Sequence, residues 1–231
     1  MKPAPAKDVD GAAFEEVGRA TLQIVHDLKN QLNGLKLYAT YLRKRLERDD
    51  QAVEERETLM KLIAGLDRAA KEMTALVRYA KPIELRFQPH ADLKSIVHAV
   101  VDDAATRGTG GLPAALIKID VSGDDFRGEF DPAALTEALK AVTDDLRATI
   151  SAKDTEGLLV RMRRDNTDST PRAVIEWHGG KPNTRNKTFA SNSGCGTIHS
   201  ALAARIIEGH GGSLSCEGNL IRAWLPLSRL S

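Results

Sequence analysis

Two long runs of apolar residues constrain this chain more than any other feature. From Val25 they fall at Val25, Leu28, Leu32, Leu35, Ala39, Leu42 and Leu46, and again at Leu59, Leu62, Leu66, Ala69, Met73, Leu76 and Ala80. Alternating steps of three and four put each set on one stripe of a helix, and such a stripe is buried only against another helix. The polar segment Glu47 to Glu54 turns the chain between them, and Pro82 closes the second helix. A first helix starting near Gly11 is about 55 Å long at 1.5 Å per residue. The expected first domain is therefore an antiparallel helical hairpin over residues 10–82. A lone hairpin leaves much of both stripes wet. Two copies packed as a four-helix bundle bury them, so a homodimer is expected.

After Pro82 the pattern changes to short strands alternating with helices, over residues 83–231. Strands are expected at Ile83 to Gln88, Leu116 to Val121, Leu158 to Arg163 and Ala173 to Trp177, with a closing hairpin of Leu214 to Glu217 and Leu220 to Leu225. Helices are expected at Leu93 to Ala105, from Asp131-Pro132 to about Ile150, and at Ile198 to His210 before Gly211-Gly212. Asp131 suits an N-cap, with proline at the first helical position. This order gives a two-layer α/β sandwich.

Composition narrows the function classes. The net charge is +1, with both signs interspersed, so nothing suggests a nucleic-acid partner. No apolar run approaches the length of a membrane span, and Met1 to Lys7 lacks the apolar core of a signal peptide, so a cytoplasmic protein with no membrane association is expected. With about 10 residues ahead of the first helix, no sensor domain is expected, and signals should arrive from another chain. Cys195 and Cys216 have no metal-ligand or disulfide spacing and read as structural or incidental thiols. No metal site is expected. His90, His98, His178 and His199 pair with no cysteine or carboxylate at ligand spacing and read as core or surface residues. His210 reads as a cap of the last helix, where a cation suits the dipole.

The chemistry concentrates in His26-Asp27-Leu28-Lys29-Asn30-Gln31-Leu32. Residues i and i+4 share a helix face, so His26 and Asn30 point the same way. His26 lies next to the apolar stripe rather than in it, where a side chain reaches solvent. That arrangement suits a histidine that accepts and donates a phosphoryl group, with polar neighbours to handle protons and water. Asp27 can hydrogen-bond the other ring nitrogen or take up its proton; the alternative is an ordinary solvated acid. Lys29 either contacts phosphate or keeps a helix face soluble. Asn30 either orients water or is a neutral surface residue.

This heptapeptide resembles the H-box of sensor histidine kinases, in which His, Glu or Asp, Leu, Arg or Lys, Asn or Thr, Pro and Leu follow in order. Six of seven positions match; Gln31 replaces the proline that usually kinks the helix, so a straighter helix is expected. The second domain resembles the ATP-binding domain of the same kinases, the fold shared with gyrase and the Hsp90 chaperones. Its best match is Ala204-Arg205-Ile206-Ile207-Glu208-Gly209-His210-Gly211-Gly212, with Trp224-Leu225-Pro226-Leu227 similar to the last strand. The resemblance implies a dimerisation and phosphotransfer hairpin followed by an ATPase-type sandwich.

The nucleotide elements depart from the family at three places. Asp145 stands where the resemblance puts the asparagine that holds magnesium, and Ala141 stands at the preceding asparagine. Trp177 replaces the aspartate that accepts the adenine amino hydrogen. Indole is only a donor, and Glu176, one residue away, is on the wrong phase of a strand. Gly179 keeps the next glycine of that motif, but Lys181 replaces its last one. In the final glycine-rich loop, Thr197 and His199 stand where two glycines belong, and Gly194 and Gly196 are one residue out of register. Asp145, Gly179, Gly194 and Gly196 thus read as vestigial positions, with no cofactor expected. The polar segment Lys181 to Ser193 matches a nucleotide lid without its ligand.

These readings combine into a histidine phosphotransferase of a two-component phosphorelay. His26 would shuttle phosphate between receiver-domain aspartates, with magnesium supplied by the receiver and no autokinase activity. Expected partners are a second copy, response-regulator receivers and a hybrid histidine kinase upstream. The alternatives are an atypical kinase or receiver phosphatase that uses ATP, supported by Asp145 and Gly179, and a non-catalytic dimeric scaffold.

Overall fold

The computed structural model describes residues 25, 28–44, 46, 53–106, 117–150, 157–166, 170–180 and 197–228. The chain divides into two compact units, Met1–Lys81 and Pro82–Ser231.

In the first unit, α1 is helical at Val25, over 28–44 and at Leu46, and α2 spans Val53–Ala80. Acids Glu54 and Glu55 in the first turn of α2 and Arg78 in its last suit the helix dipole. Val25 and Ala39 are buried, and Lys36 Nζ reaches Asp67 Oδ1 of α2 at 2.5 Å. The apolar runs do not all face inward. Leu28, Leu35 and Leu42 are 41%, 54% and 47% exposed, and Leu62 of α2 is 50% exposed. Their spacing of seven keeps the first three on one stripe beside the buried seam.

The second unit contains β1 (Gln88–Asp92), α3 (Leu93–Thr106), β2 (Ile117–Ser122), β3 (Arg127–Phe130), α4 (Pro132–Arg147), β4 (Leu158–Asp165), β5 (Arg172–His178), α5 (Ile198–Gly209), β6 (Ser213–Glu217) and β7 (Leu220–Pro226). Five strands form a mixed sheet in the order β2-β4-β5-β7-β6, with β2 parallel to β4 and the other pairs antiparallel. A separate two-stranded sheet pairs β1 with β3.

Alternation along the strands sorts the faces. Val160, Trp177 and Ile221 stand opposite one another across β4, β5 and β7 and are buried. The apolar sides of α3, α4 and α5 supply the rest of the core, including Val100, Leu139 and Ile206. The other face carries the row Arg161, Glu176 and Arg222. Glu176 is nonetheless buried, with Arg222 Nε donating to Oε1 at 2.8 Å. Burial alone would raise this carboxyl. The hydrogen bond and charge of Arg222, with Arg163 and His178, leave it below the usual range.

Most expected elements are present with shifted ends. The strand expected at Ile83 to Gln88 begins only at Gln88, because the Arg86 N–H is donated to Asp131 Oδ2 at 2.8 Å rather than to a strand. β3 was not expected. Leu116 lies outside the described residues. β5 runs one residue past its expected end at Trp177, to His178, and α5 stops at Gly209 with His210 as its C-cap.

That C-cap closes with two backbone bonds, Gly212 N–H to Ile207 O and Gly211 N–H to Glu208 O, while Gly211 takes φ +75°. This is the left-handed cap for which glycine is favoured. His210 therefore caps the helix as expected, but not as a cation. It is buried against Phe87 and Phe130. Its Nδ1 lies 2.7 Å from Ile206 O and its Nε2 accepts the Asp131 N–H at 3.0 Å. Those partners assign a neutral ring protonated at Nδ1. Asp131 in turn accepts the Ala134 N–H, capping α4. Burial holds His210 below its ordinary value, against the opposing effects of Ile206 and Asp131.

Because the folded pKa is depressed, His210 contributes stability that is fully present above the unfolded value of about 6.5. It is lost as pH falls through the folded pKa, since only the unfolded chain takes the proton at first. Denaturant midpoints between pH 5 and 8 should fall more steeply with acid in wild type than in His210→Gln. Parallel curves would show that His210 carries no such linkage.

Candidate functional site

Of the expected phosphotransfer residues, Lys29 and Asn30 lie on α1. His26 and Asp27 are outside the described residues. Lys29 is half-buried and Asn30 is exposed. Asn30, Leu37 and Tyr41 are spaced by seven and four, which puts them on one face of the helix. Leu37 is 71% and Tyr41 64% exposed. This face is separate from the stripe of Leu28, Leu35 and Leu42, since Leu35 and Leu37 are two residues, about 200°, apart on a helix of 3.6 residues per turn. α1 therefore carries exposed apolar residues on two of its sides, with Tyr38, 71% exposed, lying between them.

In the second unit, the sites of the three nucleotide-motif departures can be followed only in part, because Gly194, Gly196 and Lys181 to Ser193 lie outside the described residues. Trp177 is 1% exposed, among the core side chains of β5. Its Nε1–H donates to Thr143 Oγ1 at 3.0 Å, and that hydroxyl donates to Leu139 O at 2.8 Å. The ring thus fills the layer between β5 and α4, with its one polar atom satisfied. Glu176 points to the opposite sheet face, into its arginine partners, as strand phase requires.

Gly179 has a structural reason to be glycine. It takes φ +102°, and a Cβ there would meet Gly157 O at 2.2 Å. The chain passes so close to the segment before β4 that no larger residue fits, whatever binds nearby. Its retention therefore does not argue for a nucleotide.

Asp145 lies in the last turn of α4, half-buried. Its Oδ2 accepts from Thr197 Oγ1 at 2.5 Å and from Ser200 Oγ at 3.0 Å. Thr197 is the N-cap of α5, and its Oγ1 accepts the Ser200 N–H at 2.9 Å. Thr143, Thr197 and Ser200 were not among the expected site residues. A threonine directly before Ile198 is a cap signature, but Thr197 reads first as a lost glycine.

No family model matches the chain, and no curated protein matches it. Solved structures do. Full-length ShkA, in complex with AMPPNP, is 17% identical with a TM-score of 0.58, covering 92% of this chain and 47% of that one. This chain thus spans about half the length of ShkA. The histidine kinase AdeS of Acinetobacter baumannii is 13% identical, with a TM-score of 0.51 over 85% of this chain and 96% of its own. The fold is that of a histidine kinase core. A third match is the histidine kinase ThkA, in complex with the response regulator protein TrrA, at 14% identity and a TM-score of 0.52. It covers 97% of this chain and 68% of that one. Among the described residues of this kinase-like core, no helix is long and apolar enough to cross a membrane, and no group of His, Cys, Asp or Glu could hold a metal ion.

Trp177→Ala should cost about 3–5 kcal/mol, as expected when a large buried aromatic is removed. Trp177→Phe, which removes only the hydrogen bond and part of the ring, should cost about 1–2 kcal/mol. Urea denaturation measures both. A loss below about 1 kcal/mol for the alanine variant would show that Trp177 is not a core residue.

Proposed function

We propose that this chain is a histidine phosphotransferase of a two-component phosphorelay, working as a cytoplasmic homodimer without ATP. The observation that carries the reading is the burial of Trp177. Where the family resemblance places the carboxylate that recognises adenine, this chain has a core indole whose only polar atom is engaged with Thr143. The H-box peptide around His26 supplies the transfer chemistry.

In the forward step, a neutral nitrogen of His26 attacks the phosphorus of a receiver's aspartyl phosphate. An N–P bond forms, the P–O bond to aspartate breaks, and the aspartate leaves as a carboxylate. The unperturbed pKa of about 6.5 makes the neutral ring available at cellular pH. Asp27 accepts a hydrogen bond from, or the proton of, the other ring nitrogen. Lys29 contacts phosphate, Asn30 orients a water, and the receiver supplies magnesium. The reverse sequence delivers the phosphoryl group to a second receiver. A hybrid histidine kinase is the proposed source.

The exposed residues on two sides of α1 support two partners. The seven-spaced Leu28, Leu35 and Leu42, with Leu62 of α2, suit the helices of a second copy in a four-helix bundle. Leu37 and Tyr41 share the face of Asn30, and His26 is four residues earlier in the same sequence phase. A body docked over that histidine would cover them. The kinase ThkA, which has this fold, is recorded with a response regulator, in keeping with a receiver as that body.

Incubation with a receiver carrying labelled aspartyl phosphate should move label onto the wild type and not onto His26→Ala. Leu37→Ala combined with Tyr41→Ala should slow transfer by about tenfold or more, as loss of central apolar contacts does, while leaving the dimer intact. Equal labelling of His26→Ala would refute His26 as the acceptor, and absence of label on the wild type would favour a non-catalytic scaffold.

A further inference from the structure

The face of the five-stranded sheet turned away from the helices carries a second concentration of chemistry. Across β4, β5 and β7, Arg161, Glu176 and Arg222 form one row, and Arg163, Val174 and Trp224 form the next. Arg172, two residues before Val174, follows on the same side of β5. Its guanidinium lies 4.5 Å from the centre of the Trp224 ring.

Charge is sorted by depth here. Glu176 keeps only 8% of its side chain exposed, whereas Arg161 and Arg163 each keep 42% and Arg222 keeps 40%. Glu176 Oε1 lies 2.8 Å from Arg222 Nε and 3.8 Å from Arg163. One sunken carboxylate beneath two guanidinium groups leaves positive charge uppermost. The other acids of these rows stand at the margins: Asp120 on the edge strand β2, bonded to Arg161, and Asp165 at the end of β4, across from Arg172. Between the arginines lie buried Val174 and half-buried Trp224.

We propose that this face is a docking surface for an extended acidic segment of a partner protein, with carboxylates at alternate positions. Arg161 and Arg163 are two residues apart on one strand, about 7 Å, and alternate side chains of an extended peptide repeat at the same distance on one side. Each guanidinium is a planar fork that matches a carboxylate. Arginine with an aromatic ring is the composition enriched in protein interfaces. A nucleic acid fits less well. Its bases need an aromatic face to stack on, and the Trp224 ring already holds Arg172 against it. Glu176 also puts a carboxylate in the middle of the patch. The proposal concerns the second unit alone and needs neither His26 nor a nucleotide.

The test uses the full-length chain and a fluorescein-labelled peptide of five Glu-Ser repeats, followed by anisotropy. A Lys-Ser peptide and a short oligothymidylate serve as comparisons. The wild type should bind the Glu-Ser peptide and not the Lys-Ser peptide, with an affinity that falls as sodium chloride is added. Arg161→Gln combined with Arg163→Gln should weaken binding about tenfold or more, while Arg222 stays in place to keep the hydrogen bond to Glu176. Trp224 reports the location. The chain has two tryptophans, so in Trp177→Phe the remaining emission is that of Trp224, and it should shift when unlabelled peptide is added. No binding by the wild type, equal binding by the double variant, or binding without a change in Trp224 emission would each overturn the proposal. Tighter binding of the oligothymidylate than of the peptide would overturn it as well, making this a nucleic-acid face. If the double variant does not fold, Arg172→Gln carries the comparison, with a weakened complex expected and an unchanged one contradicting the proposal.

Discussion

The second unit depends on one buried contact, the indole of Trp177 lodged between β5 and α4 with its N–H on Thr143. A buried donor must find an acceptor or lose about 1–3 kcal/mol. Thr143 can serve because its own hydrogen goes back to Leu139 O within the helix. Strand and helix are thereby fixed to each other by a satisfied polar pair inside an apolar layer. The same residue bears on the proposed chemistry, since an indole packed in this way offers no carboxylate for adenine. In the proposed ATP-free reading, stability and the loss of a ligand site would have a common cause. Gly179, two residues further on, has its form set by the close approach of Gly157.

The hairpin is governed by a different constraint. Two helices cannot bury apolar surface that points away from both of them. Lys36 and Asp67 pair across the hairpin, and Ala39 is small and buried, but the seven-spaced leucines and the Leu37–Tyr41 face remain open to solvent. A monomeric soluble protein rarely keeps such surfaces without a use. In the proposed reading, the leucine stripe would pack against a second copy, and the other side is in sequence phase with the histidine that would exchange phosphate. In that reading, function and assembly would both depend on the same helix.

Much of this was legible in the sequence, where periodicity carried it. The heptad steps, the Asp131-Pro132 helix start and the Gly211-Gly212 stop each correspond to a local rule of backbone or packing, and the described helices obey them. β3 was missed although Phe126, Gly128 and Phe130 alternate, because four residues give too short a pattern to stand out. The strand expected from Ile83 was displaced by a side chain 45 residues away, Asp131, which takes the Arg86 amide. The neutral state of His210 depends on the Asp131 amide in the same way. Asp145 and Thr197, 52 residues apart, each read as the loss of a family residue; only the folded chain brings them together as a hydrogen-bonded pair. Local signals gave the elements, and long-range polar pairing rewrote the meaning of particular residues.

The most direct measurement is the origin of phosphate on the histidine. The purified protein would be given γ-labelled ATP with magnesium in one reaction, and a receiver carrying labelled aspartyl phosphate in another, each beside His26→Ala. Phosphotransfer without ATP predicts acid-labile label on the wild type from the receiver only. Label from ATP that is absent in His26→Ala would contradict it and make the protein a kinase.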